Sequence, residues 1–320
     1  MPCYFPRPGK ANPALNGKWV SLEKAPTHWE DLTIACNQCL GCRLRRGLEW
    51  TTRNTAESYM HDEQCFITLT YDDENLPHNR SLNYTHFSKF IRSLRDDNKQ
   101  KTIRYFGVGE YGDNFGRPHF HALIYGHEFK DAKKLKGTNL NTSEELSARW
   151  LKRGYVSIGD VNFETASYVS NYVQKKVLGK NKKEHYGVQW LNKATGELND
   201  IKYTNTVPTP DNQDYFWKRQ PEKSFMSLKP GIGMPFYDKY KHDIFQYNKD
   251  GFHHNGKLLK PPKIWSGKYE LQYPNEFQPI KEKREQHMED NAHLFTPEAL
   301  AADHANVKAR MSLYKRNKLK

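Results

Sequence analysis

Hydrophobic and polar positions sort this 320-residue chain into a few strongly patterned stretches separated by polar ones. Cys65-Phe66-Ile67-Thr68-Leu69-Thr70-Tyr71 is β-branched and aromatic and closes on Asp72-Asp73, which predicts a central strand. Residues 103–109 and 119–125 predict two more strands, joined by a turn rich in Gly, Asn, Asp and Pro. Residues 155–161 predict a fourth. Between them Phe87, Phe90, Ile91 and Leu94 recur at helical spacing within 84–98. Thr142-Ser143-Glu144-Glu145 carries a capping-box pattern and opens a helix through Trp150 that stops near Gly154. Residues 43–61 predict a helix with Leu44, Leu48, Thr51, Thr55 and Tyr59 on one stripe and Arg43, Arg45, Arg46 and Arg53 spread around it. Residues 164–177 predict another, with Val169, Val173 and Val177 on its buried side. The connection between 103–109 and 119–125 is hairpin-short. That favours an α+β fold, an antiparallel sheet with helices packed on it, over a doubly wound parallel sheet.

The flanks are less regular. Pro2, Pro6, Pro8, Pro13 and Pro26 break any helix in residues 1–35, which read as an extended arm. Residues 180–225 are polar and insertion-like. Ser227-Leu228-Lys229-Pro230-Gly231-Ile232-Gly233 is a loop whose amides could approach a phosphate, although its spacing matches no phosphate-binding loop. Residues 237–247 and 251–265 predict a short helix and a hairpin, and Thr296-Pro297-Glu298 opens a terminal helix with Pro at its first position. Lys308, Arg310, Lys315, Arg316, Lys318 and Lys320 make the end basic, suited to nucleic-acid contact. The expected organisation is an arm, cysteine cluster and basic helix over 1–62, a core over 63–180, and an extension over 181–320.

Charge narrows the partners. Fifty Lys and Arg against 37 Asp and Glu give a formal charge of +13, and aromatics reach 13%, a balance that points to a polyanion such as nucleic acid. No apolar run approaches the roughly 20 residues of a membrane span, and the first residues lack an apolar signal core, so a cytoplasmic, reducing setting without membrane contact is expected. The five cysteines fit that setting better than a disulfide scaffold. Cys36, Cys39 and Cys42 form C-x2-C-x2-C, one ligand short of a tetrahedral zinc site, with Cys3 the candidate fourth and Cys65, at the head of a strand, a packing residue. The same run suits an iron–sulfur cluster, or unliganded thiols in a turn.

Two stretches carry candidate chemistry. In His119-Phe120-His121 the imidazoles project from one face of a strand, while Phe120, Ala122 and Ile124 face the other way. Glu110, at the end of the preceding strand, would return beside them across the turn. One carboxylate and two imidazoles make a partial shell for a divalent metal with open positions; two half-exposed histidines on an edge strand fit the pattern as well. In the helix over 164–177, Tyr168 and Tyr172 are four apart, with Lys175 and Lys176 continuing their face. Such tyrosines can be chemical or can simply cover the edge of the core.

Taken in order, the Thr-Leu-Thr-Tyr-Asp run, the His-x-His strand and the Tyr-x3-Tyr helix resemble the HUH endonucleases that initiate rolling-circle DNA replication. The resemblance is closer to the replication initiators of the microviruses, single-stranded DNA phages, particularly their gokushovirus branch. It extends over Cys36–Arg43, Cys65–Asp73, Gly109–Tyr125, Tyr168–Lys176 and Met226–Gly233. It implies a sheet of about five antiparallel strands with flanking helices, like an RNA-recognition module. It implies Mg²⁺ or Mn²⁺ on His119, His121 and Glu110, attack on DNA by Tyr168 or Tyr172, and help from Lys175 or Lys176. It further implies a 5′-phosphotyrosine adduct, a free 3′-OH, and later strand transfer that closes the circle. The implied partners are the origin of single-stranded and replicative-form phage DNA, a host helicase and a host DNA polymerase, in the bacterial cytoplasm. The alternative from a different class is a zinc-stabilised, basic, single-stranded DNA-binding protein that uses the histidines and tyrosines for stacking.

Overall fold

The computed structural model describes residues 2–77, 80–112, 116–171, 186, 189–191, 198–200, 215–216, 219–247 and 250–313. The chain divides into two compact units, one formed by Met1–Glu49 with His242–Lys318, the other by Trp50–Lys241.

In the first unit the expected extended arm is instead a three-stranded antiparallel sheet. Its strands are β1 (Arg7–Asn12), β2 (Lys18–Ser21) and β3 (Asp31–Ile34), with β1 in the middle. The prolines that forbid a helix do not forbid this. Pro8 sits near the start of β1, and Pro13 opens a short 3₁₀ turn whose first amide is capped by Asn12. Asn16 and Gly17 both take positive φ, 49° and 75°, and reverse the chain between β1 and β2. Later in the same unit come a hairpin (Phe252–His254 with Lys257–Leu259) and the helices Lys263–Gln272, Pro274–Asp290 and Pro297–Leu313. The helix opened by Pro297 and the hairpin match the sequence reading; Pro274–Asp290, weakly amphipathic, was not foreseen.

The unit boundary falls within α1 (Leu40–Ser58). Its second half buries Thr51, Thr52, Asn54, Thr55, Ala56 and Glu57, whereas Leu48 and Tyr59 of the expected apolar stripe are about half exposed. Hydrogen bonds, not apolar contact alone, hold this face down. Asn54 Nδ2 donates to Ser170 Oγ at 3.2 Å, and Tyr125 OH donates to the Asn54 carbonyl at 3.1 Å. The Glu57 carboxylate accepts from Arg104 and from the Gly233 amide.

The second unit is built on a seven-stranded sheet in which every pairing is antiparallel. Its strands are β4 (Gln64–Thr70), β5 (Arg104–Tyr111), β6 (Pro118–Tyr125), β7 (Lys133–Lys134), β8 (Asn141–Thr142) and β9 (Val156–Gly159). A small separate sheet follows, of β10 (Gln189–Leu191), β11 (Leu198–Asp200) and β12 (Tyr215–Phe216), before β13 (Lys223–Met226) returns to the main sheet. The order is β13-β5-β6-β4-β9-β8-β7. Since β7 and β8 have two residues each, the body of the sheet is five strands, as expected for this α+β architecture. β13 lies mostly within the stretch read as an insertion; four residues are too short for a period to show.

Alternation splits the sheet into two faces. On one, Ile67, Leu69, Phe120, Ala122 and Ile124 pack with Phe87, Phe90, Ile91 and Leu94 of α2 (Tyr84–Asp96). Leu146 of α3 (Glu144–Arg149), capped by Ser143, and Trp150 join them. On the other, Phe66, Phe106, Val108, Leu123 and Tyr125 pack with Ala166 and Val169 of α4 (Phe163–Asn171). The candidate histidines occupy this second face, on a strand bonded on both sides. The edge-strand alternative therefore does not hold.

Candidate active site

Strand register assembles the ligand set. Across β5 and β6, Glu110 is the direct partner of His119, and Val108 that of His121; across β4 and β6, Thr68 faces His121 and Thr70 faces His119. The side chains follow. Glu110 Oε1 lies 2.6 Å from His119 Nε2 and 3.4 Å from His121 Nε2, and one ligand atom from each residue falls within 4.8 Å of the others. Glu110 and His121 are buried, 3% and 6% exposed, so this is a buried polar group and not a chance surface cluster.

The outer nitrogens are fixed from behind. His119 Nδ1 lies 3.0 Å from the Arg117 carbonyl, which only accepts, so Nδ1 carries the proton there. His121 Nδ1 lies 2.9 Å from Thr68 Oγ1. On its other side, His119 Nε2 faces a carboxylate oxygen 2.6 Å away. Two such atoms at that distance need either a shared proton or a cation between them. Burial pushes the Glu110 carboxyl up, but hydrogen bonds from His119 and His121 and their charge outweigh it and hold it down to about 2. Glu110 is thus ionised at any physiological pH. A buried anion, two oriented imidazoles and partners behind both rings fit a divalent cation with nitrogen and oxygen preference.

α4 brings the phenol. Asn162 caps it, accepting from the Thr165 amide at 2.8 Å, and Thr165, Ala166, Val169 and Ser170 turn inward. One step round the helix, half-buried Tyr168 sets its ring edge-on to His121, 5.3 Å between centroids, and to Phe66 at 6.1 Å. The structure therefore brings Glu110, His119, His121 and Tyr168 together. Tyr172, Lys175 and Lys176 lie outside the described residues.

The remaining candidates fall elsewhere. Cys3, Cys36, Cys39 and Cys42 converge in the first unit with their sulfurs within 4.8 Å of one another, a second group compatible with metal binding. Cys65 is buried in the apolar core, as its strand position implied. The Gly/Pro loop accepts no role from its spacing: its Gly233 amide donates to Glu57 at 2.6 Å, so a carboxylate of the chain already occupies that donor. Arg53, on α1, donates from Nε to the Ile232 carbonyl at 2.8 Å and stacks over Trp50. Thr68 escaped the sequence reading. Its signal was available, because alternation along β4 places it on the face opposite Ile67 and Leu69.

Residues 64–177, which contain every element of the site, match the family model of the replication-associated protein ORF2/G2P. The replication-associated protein VP4 of Bdellovibrio phage phiMH2K is 32% identical over 248 residues, covering 68% of this chain and 78% of that one. The replication-associated protein ORF2 of Spiroplasma virus 4 is 30% identical over 269 residues, covering 79% and 73%. The replication-associated protein ORF4 of Chlamydia phage 1 is 33% identical over 153 residues, 45% of this chain and 38% of that one. No solved structure matches. The chain belongs to the family of microvirus replication-associated proteins. Among the described residues, no helix is long and apolar enough to cross a membrane.

Proposed function

We propose that this protein initiates rolling-circle replication by nicking phage DNA at its origin, with Tyr168 and Tyr172 as the nucleophiles. The observation that carries the reading is the Tyr168 ring lying edge-on to His121, beside three converging ligand atoms. Glu110, His119 and His121 would hold Mg²⁺ or Mn²⁺, which when bound supplies a Lewis acid for the scissile phosphate. The tyrosine oxygen forms a bond to phosphorus and the 3′ oxygen leaves, taking up a proton. The 5′ end stays on the protein and a 3′-OH is freed. A phenol with an ordinary pKa near 10 is largely protonated at neutral pH, so its ionisation needs help, the role proposed for Lys175 or Lys176.

Two tyrosines suit a reaction run twice. One keeps the 5′ end while a host polymerase extends the 3′-OH behind a host helicase, in the cytoplasm of the infected bacterium. The other cleaves the regenerated origin, and the new 3′-OH attacks the first phosphotyrosine and closes a circle. The phosphodiester bond energy is retained throughout, so no nucleotide is hydrolysed.

The test is a denaturing gel of protein incubated with labelled single-stranded origin DNA and Mn²⁺. A protein–DNA adduct is expected, absent with chelator and absent in the Tyr168→Phe, Tyr172→Phe double variant. Cleavage without an adduct would make water the nucleophile. An adduct that survives in His119→Ala, His121→Ala would remove the metal assignment.

A further inference from the structure

The cysteine cluster lies in the first unit and takes no part in the chemistry above. Its geometry is that of a single-ion centre. A zinc ion with four sulfurs at about 2.3 Å in a tetrahedron sets them roughly 3.8 Å apart. Here Cys39 Sγ and Cys3 Sγ are 3.9 Å apart, and all four sulfurs stay within 4.8 Å of one another. That is far outside disulfide bonding, at about 2.05 Å. An iron–sulfur cluster, with several irons between its thiolates, would spread the four sulfurs wider than one ion does.

The backbone around the sulfurs is arranged for thiolates. The Cys36 amide donates to Cys3 Sγ at 3.2 Å, the Cys39 amide to Cys36 Sγ at 3.3 Å, the Gln38 amide to Cys36 Sγ at 3.5 Å, and the Tyr4 amide to Cys39 Sγ at 3.3 Å. Amide dipoles aimed at sulfur offset the negative charge that four thiolates leave over after one divalent ion. Asn37, in the left-handed region at φ 61°, makes the turn between Cys36 and Cys39.

The sequence-distant member is locked in from outside. A Cβ on Gly41 would come within 2.0 Å of the Pro2 carbonyl oxygen, so a bare glycine is what lets the chain carrying Cys3 close over the turn. Tyr4, next to Cys3, donates from its hydroxyl to Asp303 Oδ2 at 3.1 Å and stacks on His304, 4.8 Å between centroids. Leu300 and Val307 of the same terminal helix pack against the cluster.

We propose that Cys3, Cys36, Cys39 and Cys42 bind one Zn²⁺ as a closed tetrathiolate centre that fastens the amino-terminal strand-forming segment to the start of α1 and to the helix Pro297–Leu313. Four protein sulfurs leave no open position, so the centre is structural. It stands independently of the nicking reading, because its measurements do not involve DNA.

The experiment begins with the full chain purified without chelator or added metal. Elemental analysis is expected to find about one zinc per chain, released in step with titration of the thiols by a mercurial reagent. Cobalt substitution should give the visible bands of tetrahedral cobalt together with sulfur-to-cobalt charge transfer. The His119→Ala, His121→Ala variant should keep the zinc; Cys3→Ser should lose it to a chelator that the parent resists. Gly41→Val keeps all four thiols yet should lose zinc in the same way, which separates loss of a ligand from loss of its position. Iron in place of zinc, no metal with thiols that titrate freely, an unchanged tetrathiolate cobalt spectrum in Cys3→Ser, or loss of the zinc in the histidine variant would each overturn the proposal.

Discussion

Glu110 and His119 are direct cross-strand partners whose side chains meet at 2.6 Å on the inner side of the sheet's second face. Neither can turn away without breaking other contacts. His119 is pinned through Nδ1 to the Arg117 carbonyl, and Glu110 also lies 3.4 Å from His121. The pair is thus organised by the sheet before any ion arrives, which lowers the cost of binding one.

Thr68 should matter to the metal although it touches none. Its hydroxyl orients His121 through Nδ1 at 2.9 Å. Thr68→Val keeps the shape and removes the partner, and should raise the Mn²⁺ concentration needed for adduct formation about 10–100-fold. Thr68→Ser, which restores the hydroxyl, should recover most of it. Adduct yield against Mn²⁺ concentration checks this, and equal curves for Val and Ser would refute it.

Asn54 ties α1 to the tyrosine helix through Ser170 and to β6 through Tyr125. Asn54→Ala leaves Ser170 without this donor and should cost about 1–3 kcal/mol. Denaturant unfolding measures that cost. Because α4 loses its tie, adduct formation by the folded fraction should fall too, with the Mn²⁺ requirement unchanged.

Glu57 should make the fold acid-sensitive. It is fully buried against Arg104, and its carboxyl sits below the ordinary value of 4.5: burial pushes it up, but hydrogen bonds from His61, Arg104 and the Gly233 amide prevail. With the folded pKa depressed, the unfolded chain binds more protons in this range. The contribution is complete above 4.5 and declines as pH falls below it. Glu57→Gln should cost about 3–5 kcal/mol at neutral pH, since it leaves a buried guanidinium without its anion. It should also flatten the acid limb of a stability–pH curve.

Phe90, on the opposite side of the sheet from the histidines, offers a control. Phe90→Ala should lower stability by about 3–5 kcal/mol through lost burial and a cavity. Adduct formation at a temperature where the variant remains folded should match the parent.

What was legible in the sequence follows the strength of local pattern. The alternation of Phe120, Ala122 and Ile124 against His119 and His121 predicted both faces of β6, and the helical spacing of Phe87, Phe90, Ile91 and Leu94 predicted the buried side of α2. Glu110 beside His119 followed from a short turn. α1 misled because its buried face is polar: Asn54 and Glu57 are satisfied by Ser170, Tyr125, Arg104 and Gly233, partners 47 to 176 positions away that no local window contains. The arm misled for another reason. Its prolines exclude a helix but not a sheet, and Asn16-Gly17, both at positive φ, is a strong hairpin signal.

The two faces of β6 divide labour between folding and chemistry. Phe120, Ala122 and Ile124 on one face are all core, while the other carries His119 and His121 beside the buried Leu123 and Tyr125. Residues beside the histidines can therefore change from one side while the other continues to anchor the sheet. Drift confined to the anchoring side would change the temperature range of the initiator and leave the site's ligands in place.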